Sequence, residues 1–127
     1  MRYLTIEQRE SLERALKERV KALRGEIGAA LHQSDETRHL ANRFLETREE
    51  PIADLEETIE IASVQRDLQE LREVTEALKR IHEPEYGVCA DCEAEIPFTR
   101  LQAEPSAMRC VACQTQRERM GSTHASL

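Results

Sequence analysis

The sequence predicts a mainly α-helical protein: a long antiparallel helical hairpin of the coiled-coil type, then a small module drawn together by four cysteines, then a short C-terminal helix. Three observations carry this. Two long segments repeat apolar residues at helical spacing, a proline-marked break separates them, and all four cysteines fall into two C-x-x-C pairs late in the chain. Composition agrees, since 34% charged residues with 3% aromatics and no Trp suit solvated helices sharing a narrow seam better than a compact core.

The first helix is expected to start after Thr5, whose hydroxyl can cap the helix while Gln8, three residues on, caps back. Leu12, Leu16, Val20, Leu23, Ile27 and Leu31 then step by 4, 4, 3, 4 and 4, which marks one helical face. Gly25 and Gly28 interrupt that face, each at a cost of about 1 kcal/mol relative to Ala. The pattern blurs after His32, but Leu40 and Phe44 can carry the helix further, so the turn is placed at residues 43–52, where Pro51 opens the second helix.

That second helix is expected to run to about His82, ahead of Glu83-Pro84, with a seam of Ile61, Val64, Leu68, Leu71, Thr75 and Leu78. A short connection makes consecutive helices antiparallel neighbours, so the two seams should close on each other within one chain, giving a monomer in preference to an intermolecular coiled coil. Thirty-odd residues per helix imply an arm of about 45 to 50 Å. Residues 46–60 hold seven acids and one base, Arg48, a balance of −6 that places nearly all the formal charge of −7 near the turn. Acids also suit the first turn of a helix, so this cluster reads either as a solvated turn or as an acidic probe.

The cysteines carry the specific signal. Seventeen residues separate the pair Cys89 and Cys92 from the pair Cys110 and Cys113, the spacing of a four-cysteine zinc ribbon in which four thiolates close a tetrahedron around one structural Zn(II). A closed tetrahedron leaves no position for a substrate water. A redox pair would want a βαβ setting, and two disulfides would want a secreted chain. Neither fits. With every cysteine inside the motif a reducing cytoplasm is expected, and neither an apolar leader nor a span of about 18 apolar residues is visible. His82 lies nearest the cysteines in sequence and is read as a helix-end residue. An excess of 25 acids over 18 bases disfavours direct nucleic-acid binding. No Ser/His/Asp set, phosphate loop or paired-acid site suggests an enzyme. The domain boundaries expected are 1–84 for the hairpin with its acidic tip near 43–57, 85–120 for the zinc finger with a short helix from Gln114 to Met120, and 121–127 for a disordered tail.

Tyr86-Gly87-x-Cys-x-x-Cys, Ile96, Arg100-Leu101 and Pro105-x-Ala107-x-x-Cys-x-x-Cys-Gln114 closely resemble the four-cysteine zinc finger of the DksA/TraR family, and a helical hairpin before it matches the longer members. The resemblance implies a non-enzymatic transcription regulator that binds RNA polymerase and inserts its hairpin into the secondary channel, with acidic tip residues acting near the catalytic centre. Where the family carries Asp-x-x-Asp-x-Ala, this chain has Pro51-x-x-Asp54-x-Glu56 by local similarity and Glu46-x-x-Glu49-x-Pro51 by ungapped counting, so Asp54, or else Glu46 and Glu49, is the tip candidate. Positions that are basic in members responding to the alarmone ppGpp hold Glu73, Glu104 and Gln114, which implies weak or absent ppGpp dependence. Glu93 replaces a glycine that usually follows the second cysteine. The altered tip also leaves room for a zinc-stabilised coiled-coil adaptor that contacts another protein.

Overall fold

The computed structural model describes residues 3–46 and 52–125; the side chains of residues 45, 46, 53, 54, 57 and 122–125 lie outside that description. Among the described residues six helices follow one another: α1 (Ile6–His32), α2 (Arg38–Glu46), α3 (Ile52–Thr58), α4 (Ala62–Arg80), α5 (Phe98–Ala103) and α6 (Val111–Ala125). Among the described residues the only β pairing is the isolated bridge between Val88 and Glu95. The molecule is therefore mainly α, as the periodicity implied.

α1 begins where its cap dictates. Thr5 Oγ1 accepts from the Gln8 amide at 3.0 Å and Gln8 Oε1 accepts from the Thr5 amide at 2.9 Å, satisfying two otherwise orphan donors. Leu12, Leu16, Leu23, Ile27 and Leu31 are buried as a single stripe. The partner is α4. Arg19 pairs with Glu70 at 2.6 Å and, nearer the other end, Arg9 reaches the carbonyl of Ile81, so the two helices are antiparallel. α1, with 27 residues, is roughly 40 Å long at about 1.5 Å per residue.

The connection between these helices differs from the expected turn at 43–52. α1 stops at His32 because Ser34, Asp35 and Thr37 offer the backbone local alternatives to the helical ladder. Thr37 Oγ1 donates to the Leu31 carbonyl at 2.6 Å, and the Ser34 hydroxyl accepts from the Glu36 amide at 3.2 Å. α2 then doubles back along α1, burying Ala41 and Phe44, and Arg24 both stacks on the Phe44 ring at 4.4 Å and donates to the Phe44 carbonyl. The second long helix is likewise broken at residues 59–61. Thr58, Ile59 and Ile61 are β-branched and stiff at χ1, and Gln65 Nε2 holds the Ile59 carbonyl at 2.7 Å. α3 lies against α4, with Glu56 paired to Arg72 at 2.8 Å.

The seam on α4 also turns. Val64, Leu68 and Leu71 are buried as expected, but the next positions are Val74, Ala77 and Ile81, while Thr75 and Leu78 sit half-buried at its edge and Ile61 is 41% exposed. The cause is a second partner. The segment Gln102–Ser106 approaches α1 and α4 beside Val74, so α4 must bury a flank toward it as well as toward α1. At the C-terminal end α6 runs through Gly121 to Ala125, into the stretch expected as tail; a Cβ at Gly121 would meet nothing within 4 Å, so no packing opposes continuation.

Candidate metal centre

The cysteine module is fixed to the root of the hairpin before any metal is considered. Gly87 adopts φ +88, and a Cβ there would stand 2.9 Å from Leu4 Cδ1, so this turn needs glycine both for its backbone and for the seat of the N-terminal residues. Next to it Tyr86 is buried; its hydroxyl donates to the Pro105 carbonyl at 2.7 Å, and burial pushes its pKa up to about 12. Arg9, only 5% exposed, donates to the carbonyls of Ile81 at 2.6 Å and Glu83 at 3.1 Å, with its guanidinium 5.9 Å from the Tyr86 ring centre. Those carbonyls follow the end of α4, where the intrahelical ladder has run out of donors.

From this root the chain makes two knuckles. In the first, the amide of Glu93 donates to the Cys89 carbonyl at 3.0 Å, that of Cys89 to the Ala94 carbonyl at 2.8 Å, and that of Cys92 faces Cys89 Sγ at 3.5 Å. The turn closes through Glu93 at φ 64, the left-handed conformation that a glycine would accept more readily, as its place after the second cysteine suggested. In the second knuckle the Gln114 amide donates to the Cys110 carbonyl at 2.9 Å as α6 begins. One backbone bond joins the two: Ala90 N–H to the Met108 carbonyl, 2.8 Å.

The result brings all four predicted ligands together. The sulfurs of Cys89, Cys92, Cys110 and Cys113 lie within 4.8 Å of one another, and none is in a disulfide. A zinc tetrahedron with arms of about 2.3 Å has sulfur–sulfur edges of about 3.8 Å. Cys92 Sγ and Cys110 Sγ are 3.8 Å apart. The donor set therefore fits one structural zinc, held by four thiolates with no open position.

Electrostatics favour the same conclusion. Burial raises the Cys89 thiol, but the backbone N–H groups of Cys92, Cys110 and Asp91 outweigh it and bring the pKa down to about 6. Cys113, crowded by the sulfurs of Cys110, Cys89 and Cys92, is instead pushed up to about 12. Four adjacent sulfurs cannot all ionise alone; a divalent cation removes the conflict and expels the remaining protons. Outside the ligands, Asp91 clasps the knuckles: its Oδ2 accepts from Arg109 Nε at 3.0 Å and Arg117 Nε at 3.1 Å, and the Arg117 guanidinium, with Arg109 beside it, holds the carboxyl below its usual range. Sequence reading missed this clasp, although an acid between Cys89 and Cys92 with an arginine just before Cys110 was the available signal.

The other predicted site residues are distributed as follows. Glu73, Glu104 and Gln114 line one cleft of about 530 Å³ between α4 and the cysteine module, joined there by Arg80 and Arg100. Those arginines are engaged: Arg80 donates to the Ser106 carbonyl at 3.3 Å, and Arg100 donates to the Arg109 carbonyl at 3.0 Å while facing Glu104 at 3.8 Å. His82 contacts Glu13 at 3.4 Å and is absent from the sulfur cluster. Glu49 lies outside the described residues. Glu46 ends α2 and Asp54 falls within α3, both with side chains outside the description. No described helix is long and apolar enough to cross a membrane.

Comparison with known proteins now adds a family. Residues 84–119 match the family described as prokaryotic dksA/traR C4-type zinc finger. Over 97 residues, 76% of this chain, the sequence is 28% identical to the RNA polymerase-binding transcription factor DksA of Escherichia coli and to that of Salmonella typhimurium. The match spans 62% of the length of those relatives. The corresponding factor of Buchnera aphidicola from Schizaphis graminum is 33% identical over 61 residues, 48% of this chain and 40% of the relative. Among solved structures, that of transcription factor DksA2 from Pseudomonas aeruginosa superposes with a TM-score of 0.61 at 18% identity, covering 94% of this chain and 90% of the other, a likeness of fold.

Proposed function

Starting from a chain whose residues 84–119 are a zinc finger of the DksA/TraR family, we propose that it is a non-enzymatic, cytoplasmic regulator of transcription that binds RNA polymerase through the secondary channel. One observation carries the reading. The four-cysteine module is joined, through Arg9, Tyr86 and Gly87, to an antiparallel pair of long helices, α1 and α4, so a helical arm extends from the module that roots it. Relatives that bear this finger are named as RNA polymerase-binding factors. No zinc position is left for chemistry, so the metal holds shape and the carboxylates of residues 46–60 supply the charge that acts on the partner. Asp54, or Glu46 with Glu49, is the proposed contact with the polymerase active centre; contact with nucleic acid is not sequence-specific, and the working species is a monomer.

Dependence on ppGpp is weak or absent in this reading. A tetra-anionic nucleotide entering the cleft meets Glu73 and Glu104, and the nearby guanidiniums of Arg80 and Arg100 already serve protein acceptors. In vitro transcription with purified polymerase, with and without ppGpp, tests this directly, and strong synergy refutes it. Asp54→Asn and the Glu46→Gln/Glu49→Gln pair are run beside the wild type; one of the two should reduce the effect if the acids act at the tip, and which one does identifies the contact.

A second reading has its own support. α2 and α3 fold back along the hairpin, and the described acid Glu56 is paired to Arg72 on α4 at 2.8 Å, away from a simple two-helix point. That arrangement favours a coiled-coil adaptor for another protein. Retention on immobilised core polymerase, and displacement by a second protein that occupies the secondary channel, supports the first reading; no retention leaves the adaptor.

A further inference from the structure

A groove between α1 and α4 belongs to neither the metal centre nor the cleft beside it. Its floor is apolar: Leu71, with the half-buried Val20 and Leu78 and, at one end, Ile52 of α3. Val20 and Leu78 carry the periodicity of the two seams and pack against the core, yet each is only half-buried and presents one flank to the groove. The groove has a volume of about 1000 Å³. Among the described residues its rim is cationic, with Lys17 and Lys21 on one side and Arg72 and Lys79 on the other against one lining acid, Glu76; Lys17, Arg72 and Lys79 also face Glu13, Glu56 and Glu76 in exposed ion pairs that an incoming carboxylate can replace. In a chain with 25 acids and 18 bases this local reversal is a property of the surface, not of the composition.

We propose that this groove receives a short acidic amphipathic helix of a partner protein. The shape argues for a helix: the floor residues recur along two antiparallel helices, leaving a furrow into which a third helix sets its apolar ridge. The furrow runs from Lys17 to Arg24 on α1 and from Leu71 to Lys79 on α4, about 10 to 12 Å, or two helical turns. The charge argues for acids flanking that ridge, because like charges facing the lysine rim would be repelled. A second copy of this chain is the less favoured occupant, since a symmetric groove-to-groove contact would set the same cationic rim against itself. The proposal does not rest on the polymerase reading.

The test uses the zinc-loaded full chain and fluorescence anisotropy with a labelled synthetic helix of about 14 residues, leucines at helical spacing and glutamates on both flanks. Its lysine-flanked counterpart is the control. Saturable binding of the acidic peptide alone is expected, weakened about tenfold by Lys21→Glu/Lys79→Glu and by raised salt. Both substituted residues are exposed, but Lys79 pairs with Glu76 at 3.3 Å in the last turn of α4, so the variant's circular dichroism melt is compared with that of Lys21→Glu alone, which leaves that pair intact and gives an independent second variant. Equal binding of both peptides, absence of binding, or an affinity untouched by the rim variants overturns the proposal. Concentration-dependent dimerisation of the wild type that the same variants abolish overturns it in favour of self-association.

Discussion

Replacing Arg9 by Ala should loosen the join between the hairpin and the zinc finger. The guanidinium is 5% exposed and donates to two carbonyls, at 2.6 and 3.1 Å. A hydrogen bond to a charged group is worth about 1.5 to 3 kcal/mol, and the second bond is longer and partly solvated, so the pair contributes about 3 kcal/mol. The contact with Tyr86, at 5.9 Å near the limit of a cation–π interaction, adds about 0.5 kcal/mol. Water reaching the freed Glu83 carbonyl offsets part of this. A net loss of about 2 to 3 kcal/mol follows, which for a chain of this size lowers the melting temperature by about 10 °C. Both bonds come from one nitrogen, Nη1, so Arg9→Lys keeps the charge and a multiple N–H donor but loses reach and the planar face toward Tyr86, and should lose about half as much. Urea and thermal unfolding followed at 222 nm, with zinc in excess, measure both. An Arg9→Ala variant within about 0.5 kcal/mol of the wild type would refute the assignment of this residue as the tie between α1 and the end of α4.

Cys113→Ser should abolish stoichiometric zinc in metal analysis and unfold the C-terminal third, while most of the helicity of α1 and α4 survives; a chelator should reproduce this. Glu93→Gly should stabilise by about 0.5 to 1 kcal/mol, since φ 64 strains a side chain and not glycine, and an unchanged denaturation midpoint would show the turn to be relaxed. The Arg19 guanidinium, against the opposing effect of burial, holds the Glu70 carboxyl below its ordinary value. Its folded pKa is therefore the lower one, and the pair's contribution, under about 1 kcal/mol for so exposed a bridge, is present above the unfolded value and fades as pH falls through the folded one. Urea midpoints for Glu70→Gln should show less loss between pH 5 and pH 3 than the wild type.

What the sequence made legible was whatever depended on local chemistry or strict spacing. Thr5 and Gln8 announced the start of α1, and two C-x-x-C pairs announced the sulfur cluster, because each is defined by fixed offsets. The replacement of a usual glycine by Glu93 was visible only through the family resemblance, and its left-handed φ of 64 appears with the fold. The breaks at residues 33–37 and 59–61 were not legible, since apolar periodicity continues through Leu40 and Phe44 while short polar side chains cut the ladder beneath it. The drift of the α4 seam from Thr75 and Leu78 to Val74 and Ala77 was hidden too. It depends on where Gln102–Ser106 lands, a contact between residues far apart in the chain. The Asp91 clasp falls between these cases: its three members are visible in sequence, but only the folded knuckles show that they meet.

The doubling back of α2 bears on how the protein emerges from the ribosome. α1 is synthesised long before α4, the element that covers most of its greasy stripe, and closing so distant a pairing is slow. α2 follows within a few residues and lays Phe44 and Ala41 over the later part of that stripe, so a nascent chain can shield half of α1 by a local fold. The earlier part, around Leu12 and Leu16, has no such interim cover. It is there that a stalled or truncated chain would be expected to stick to its neighbours, and there that a chaperone would find its handle.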